Sequence, residues 1–139
     1  MGTPLDLIPH RAPWIVLDRL VALDDARAVA EKRVRADDPL VGEGGLAGLF
    51  VVELAAQAAA CLNGAKNLGR SGHLGYLVAA RGWKFPRTIA PGETLVIEVT
   101  RRAELGALAS FRAVARVGDE EVASGELTCA ARFDEEPAA

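Results

Sequence analysis

From Leu46 to Leu62 the chain reads LAGLFVVELAAQAAACL, an apolar run whose polar members are Glu53 and Gln57, and Asn63-Gly64 supplies a stop signal. A helix that is apolar on every side must be buried. A chain of 139 residues and 14.6 kDa has the length of one domain, so the rest of it has to cover that helix. The many alanines in the run, among them Ala55, Ala56, Ala58, Ala59 and Ala60, let surrounding backbone come close, as a wrapped sheet requires.

The flanking segments carry strand patterns. Trp14 to Leu23 is an apolar run broken by Asp18-Arg19, and Asp24-Asp25 separates it from a roughly alternating stretch through Ala36, which predicts a strand pair. Asp37-Asp38-Pro39 and the glycines 42, 44 and 45 interrupt regular structure before the helix. After the helix, Leu95, Ile97 and Val99, spaced two apart, make one apolar face. Ala109, Phe111, Ala113, Ala115 and Val117 repeat that period, as do Ala123, Leu127, Cys129, Ala131 and Phe133. Glu104-Leu105-Gly106 and Gly118-Asp119-Glu120 read as hairpin turns between these runs. The expected order is strands, one long helix, then an antiparallel meander that includes Tyr76 to Phe85. This is an α+β chain, and one antiparallel sheet curled around one long buried helix is the hotdog arrangement. The expected domain covers residues 1–133, with 134–139 as a short acidic, disordered tail.

Composition narrows the function classes. A net charge of -3 and a pI near 5.4 argue against a nucleic-acid partner. No apolar run approaches the roughly 20 residues of a membrane span, and the opening MGTPLDLIPHRAP lacks the charged and apolar regions of a signal peptide. The expectation is a cytoplasmic protein without membrane insertion. Cys61 among alanines and Cys129 in a strand pattern read as small buried hydrophobes rather than metal ligands or disulfide partners.

Few residues are placed to do chemistry. Glu53 and Gln57, four apart, share one side of the helix. A carboxylate buried there needs a partner or a raised pKa, which is how a general acid is made; alternatively, Glu53 faces water and complements the positive helix end. Gln57 either bonds to backbone or meets a substrate. His10, between Pro9 and Arg11, is a candidate base near neutral pH or a structural histidine. His73 follows Ser71-Gly72 in an expected exposed loop. Gly48, near the helix start, would let a ligand approach free backbone N–H groups. Tyr76, Trp14, Phe50 and Trp83 are either core residues or walls for an apolar substrate. Lys66, Arg70, Arg81, Lys84 and Arg87 are either a patch for an acidic partner or scattered solvated charges.

Four stretches, IPHRAPWIVLDRL, GLFVVELAAQAA, KFPRTIAPGETLVIEV and VASGELTCA, resemble in order the β-hydroxyacyl-acyl-carrier-protein dehydratases of fatty-acid and polyketide-like synthesis. The resemblance implies a hotdog fold and a homodimer with tunnels at its interface. It also implies reversible loss of water from a 3-hydroxyacyl thioester on acyl carrier protein or coenzyme A, with no cofactor or metal. By position, the family's catalytic carboxylate falls on Glu53, and the glycine whose N–H polarises the thioester carbonyl falls on Gly48. The family's other catalytic group is a histidine in a Gly-His-Phe-Pro-like loop before the helix. Here that loop is the shorter DDPLVGEGGLAG, without histidine. In this the chain is similar to a divergent branch found with aryl-polyene pathways. Dehydration needs a base for the C2 proton as well as an acid for the C3 hydroxyl; the segment corresponding to Pro9-His10 lines the tunnel in the broader family, which makes His10 the substitute base. Two other functions compete with a dehydratase: a hotdog acyl thioesterase, and a non-catalytic acyl-binding subunit of a heteromeric dehydratase.

Overall fold

The computed structural model describes residues 17–39, 41–66 and 74–132, with the backbone path alone for 63–66, 74–76 and 131–132. Its strands are β1 (Arg19–Leu23), β2 (Arg27–Arg33), β3 (Val41–Gly42), β4 (Gly45–Leu46), β5 (Leu74–Lys84), β6 (Thr94–Leu105), β7 (Leu108–Val117) and β8 (Glu120–Arg132). One helix, α1 (Gly48–Lys66), lies between β4 and β5.

Six strands form one antiparallel sheet in the order β1-β2-β6-β7-β8-β5, and β3 and β4 form a separate hairpin. The expected strand pair is β1 and β2. Asp24 makes their turn tight, because its carboxylate accepts hydrogen bonds from the N–H groups of Ala26 and Arg27, both at 2.9 Å. Asp18 continues the ladder rather than breaking it: its N–H donates to the Glu31 carbonyl at 2.9 Å and its carboxylate accepts from the Arg33 N–H at 2.6 Å.

The inner face of the sheet follows from period two. Ala28, Val99, Ala113 and Gly125 lie side by side across four strands, and Ala30, Ile97, Ala115 and Ala123 form the next row. All are buried. These rows are mostly small, and so is the helix side that meets them, where Ala55, Ala58 and Ala59 are fully buried among Val51, Leu54 and Leu62. Small against small brings helix and sheet backbones close, which is what the alanine content predicts. The two thiols sit in this core; burial pushes Cys61 up to about 12 and Cys129 up to about 11, so both are neutral, unreactive groups.

Four local expectations need correction. The helix begins at Gly48 rather than Leu46, because Leu46 is drawn into β4 and its N–H donates to the Ile89 carbonyl at 2.8 Å. It also runs through Asn63-Gly64 to Lys66: an interior glycine costs a helix only about 1 kcal/mol, too little to end it. The strand 74–84 is not part of a sequential meander. It pairs with β8 at the far edge of the sheet, and the crossover Phe85–Glu93 returns the chain to β6 beside β2. Glycines 42, 44 and 45 do not simply interrupt structure, since they build the β3–β4 hairpin. The hairpin turns after β6 and β7 fall at Gly106-Ala107 and Gly118-Asp119, with both glycines at positive φ (60° and 59°). The expected tail 134–139 lies outside the described residues.

Candidate active site

Glu53 stands in the second turn of α1, and the Gln57 amide donates a hydrogen bond from Nε2 to its Oε1 at 3.1 Å. Gln57 is fully buried and Glu53 half-buried. The fold therefore brings together the two polar groups that the i, i+4 spacing places on one side. Glu53 lies one turn in from the helix start and keeps part of its surface in water. A carboxylate half withdrawn from water and held in one orientation by an amide is suited to giving or taking a proton at a fixed point.

Gly48 is the first residue of α1, at the end where backbone N–H groups lack partners within the helix. A side chain there would have to displace the Phe85 ring: a Cβ on Gly48 would sit 2.6–2.9 Å from three of its atoms. Phe50, in the first turn, is half-buried against the core, and its N–H donates to the Ala47 carbonyl at 3.0 Å. Trp83 is also half-buried against the core, and its indole N–H donates to the Glu126 carbonyl at 3.1 Å.

The other candidates fare unevenly. Tyr76 lies in β5 opposite Ala130, with only its backbone described. His10, Trp14 and His73 lie outside the described residues, so no histidine stands among the described residues around Glu53. Arg87 does not belong to an open basic patch. Its guanidinium donates to both carboxylate oxygens of Glu93 (2.8 and 2.9 Å) and of Glu120 (both 3.1 Å), contacts that raise its pKa. The same contact, with the Ala90 N–H, holds Glu93 below the usual carboxylate range. Arg81 and Lys84 are exposed.

Two features escaped the sequence reading. One is the pairing of Phe85 with Gly48. The other is Lys32, which continues the buried row Ala28, Ala30 and Val34 and meets Asp38 at 2.6 Å with both side chains about one-tenth exposed (10% and 11%). Its signal was present, because period two from Ala28 puts Lys32 on the inner face. This ion pair ties the inner face of β2 to the segment that leads to β3 and the helix.

The sequence matches the family described as ApeP-like (ApeP dehydratase) over residues 3–136. A curated relative, the 3-hydroxyacyl-[acyl-carrier-protein] dehydratase FabZ of Proteus mirabilis (strain HI4320), is 33% identical over 136 residues, covering 92% of this chain and 90% of its own. Among solved structures, the dehydratase heterocomplex ApeI:P from Xenorhabdus doucetiae superposes with a TM-score of 0.86 at 21% identity, over 96% of this chain and 93% of that one. A hypothetical thioesterase from Streptococcus pneumoniae shares the architecture at a TM-score of 0.66 and 12% identity, over 85% and 88% of the two chains. The fold alone thus does not choose between these chemistries, and the sequence does. The β-hydroxyacyl dehydratase resemblance and the hotdog architecture both stand, and the chain belongs to the ApeP-like dehydratase family.

Proposed function

We propose that the protein removes water from 3-hydroxyacyl thioesters carried on acyl carrier protein, in fatty-acid or aryl-polyene-like synthesis, with Glu53 as its acid. The observation that carries this reading is the Glu53–Gln57 pair, a half-buried carboxylate oriented by an amide on a helix otherwise apolar through Leu62. In the forward direction a base takes the C2 proton, the C2–C3 double bond forms, and the C3 hydroxyl leaves as water with the proton Glu53 supplies. His10 is the proposed base, since the loop before the helix has no histidine. The backbone N–H at Gly48 is the proposed donor to the thioester carbonyl, where charge accumulates as the C2 proton departs. Tyr76, Trp14 and Phe50 are proposed to line the acyl chain's path.

Among the described residues, the strand β5 is paired on one side only, with β8, and exposes Leu77 and Val78. An apolar open edge of this kind invites pairing with a second subunit. A homodimer is proposed on that ground, to be checked by native mass spectrometry. A cytoplasmic location is proposed as well; among the described residues no helix is long and apolar enough to cross a membrane.

A second reading is favoured by one observation. With no histidine in the segment before the helix, the chain could pair with a catalytic relative and bind the acyl group without turning it over; the Xenorhabdus doucetiae structure is itself a dehydratase heterocomplex. Mass spectrometry of a 3-hydroxyacyl-carrier thioester and of its 2-enoyl counterpart, each incubated with wild type and with Glu53→Gln, separates the readings. Loss or gain of one water by wild type, reduced roughly 10²–10⁴-fold in the variant, supports the dehydratase. Release of free acid would make it a thioesterase. An intact, tightly bound thioester would make it the non-catalytic subunit.

A further inference from the structure

Trp83 and Phe85 form a stacked pair, with ring centroids 5.8 Å apart and planes 13° from parallel. Of three glycines, one shapes the strand that carries this pair, and two others far apart in sequence lie against it. The first, Gly82, has φ +62° and lies where the β5–β8 register slips between Arg81 and Lys84. The extra residue makes a bulge that re-aims the side chains following it. The second, Gly125 of β8, lies beneath the indole: a Cβ there would be 2.3–2.6 Å from three atoms of Trp83. The third, Gly48, begins α1 and lies against the phenyl ring, with 2.6–2.9 Å from its missing Cβ to that ring. The stack is therefore a spacer of fixed thickness between the β8 backbone and the start of the helix.

A second contact aligns the same two segments. Ile89, four residues beyond Phe85, accepts the Leu46 N–H at 2.8 Å, and its carbonyl oxygen would lie 2.3 Å from a Cβ on Gly45. Residues 45–48 thus run antiparallel to 89–85, held at one end by a backbone bond and at the other by the ring. Glu53 lies five residues beyond Gly48, roughly 7.5 Å along the helix axis. Whatever fixes the helix start fixes the carboxylate.

We infer that Phe85 is a positioning residue: through Gly48, and backed by Trp83, it sets where α1 begins and so where Glu53 meets its substrate. This rests on the dehydratase reading of Glu53. Misplacement of a reacting group by about 1 Å is enough to lower a rate about 10²-fold, and removing the ring opens a gap of more than that size beside the helix start.

The test is steady-state dehydration and thermal unfolding of Phe85→Ala, Phe85→Tyr, Gly48→Ala and Gly48→Ala/Phe85→Ala. Phe85→Ala is expected to lower kcat about 10- to 100-fold with KM changed less than about threefold, in a protein that still unfolds cooperatively. Phe85→Tyr keeps the ring in place and directs its hydroxyl from a side chain that is already 42% exposed, so it is expected to stay within about twofold of wild type. An unchanged kcat in folded Phe85→Ala overturns the inference; a loss confined to KM would make Phe85 a substrate contact rather than a positioning residue. Gly48→Ala is expected to lower the unfolding temperature less in the Phe85→Ala background than in wild type, because the added methyl then has room. If the two losses are equal, the ring is not what the methyl meets, and the inference falls. Wild type that fails to turn over substrate would defeat the dehydratase reading, and with it the link to Glu53. The unfolding comparison needs no substrate and would still decide whether Phe85 sets the helix start.

Discussion

The approach to α1 and the middle of α1 are held in different ways. From Leu54 to Leu62 the helix is secured by generic burial, in which Leu54, Ala55, Ala58, Ala59, Cys61 and Leu62 press on a sheet face of similar residues. From Asp38 to Gly48 the described residues bury Leu46, with Val41 packed beside the core, and otherwise rely on keyed contacts: Lys32 with Asp38, Gly45 against the Ile89 carbonyl, and Gly48 against Phe85. Generic burial tolerates exchange among apolar side chains of similar volume, whereas a keyed contact fails when either member changes. The helix is thus fixed as a body by its middle and in its exact placement by its start.

The sharpest break in that comparison should come from Lys32→Met. A buried ion pair contributes little when both members are exchanged, but removing one partner takes away compensation on which the other's charge relies and costs about 3–5 kcal/mol. Asp38 is nearly as buried as Lys32 and has further contacts of its own, so the loss should fall within that range. Urea unfolding should show a lower midpoint at constant slope. A midpoint within error of wild type would place this pair among the weak surface pairs and remove it from the keyed contacts.

Gly45→Ala tests the backbone contact. Gly45 has φ +96°, and its absent Cβ would lie 2.3 Å from a main-chain oxygen that cannot rotate away. The left-handed conformation costs about 1–2 kcal/mol for a residue with a Cβ, and displacing Ile89 sacrifices the bond from Leu46, worth about 1 kcal/mol. A loss of about 3 kcal/mol is expected by the same urea measurement. In the middle of the helix, by contrast, Leu54→Met changes shape without removing volume and should cost less than about 1.5 kcal/mol. An equal loss at both sites would erase the distinction between the two regions.

This difference also separates what the sequence disclosed from what it hid. The burial of the helix, the alternation on β6, β7 and β8, and the Glu53–Gln57 pair were legible because each depends on spacings of two or four residues within one segment. The hidden features join residues far apart in sequence. Gly45 read as a loop glycine and Gly48 as a helix-start glycine open to a ligand, with nothing in either segment to show that Ile89 and Phe85 lie against them, or that Gly125 lies beneath Trp83. The misplacement of β5 has the same cause. Its alternation and length suit a strand anywhere in the sheet, and only pairing with β8 assigns it to the edge. Arg87 was grouped with the other cations because its two acidic partners, Glu93 and Glu120, belong to separate segments.

The smallest expected effect concerns the crossover itself. Arg87 joins Glu93, beside the segment that contacts the helix start, to Glu120 at the head of β8. Bonds from Arg87 and the Ala90 N–H hold the Glu93 pKa below its ordinary value. A carboxylate with a lowered folded-state pKa binds its proton more readily when unfolded, so its stabilisation is present above the unfolded value of about 4.3 and is lost as pH falls through the lower folded value. Unfolding temperature should therefore decline on the acid side of about pH 4.3. The decline should be shallower in Arg87→Met, which removes the larger cause of the shift and leaves only the Ala90 bond. Because this cluster is partly exposed, added salt should weaken the difference between the two proteins. Identical acid limbs for wild type and Arg87→Met at low salt would show that the cluster does not brace the crossover, leaving the Ile89 and Phe85 contacts to hold it against the helix start.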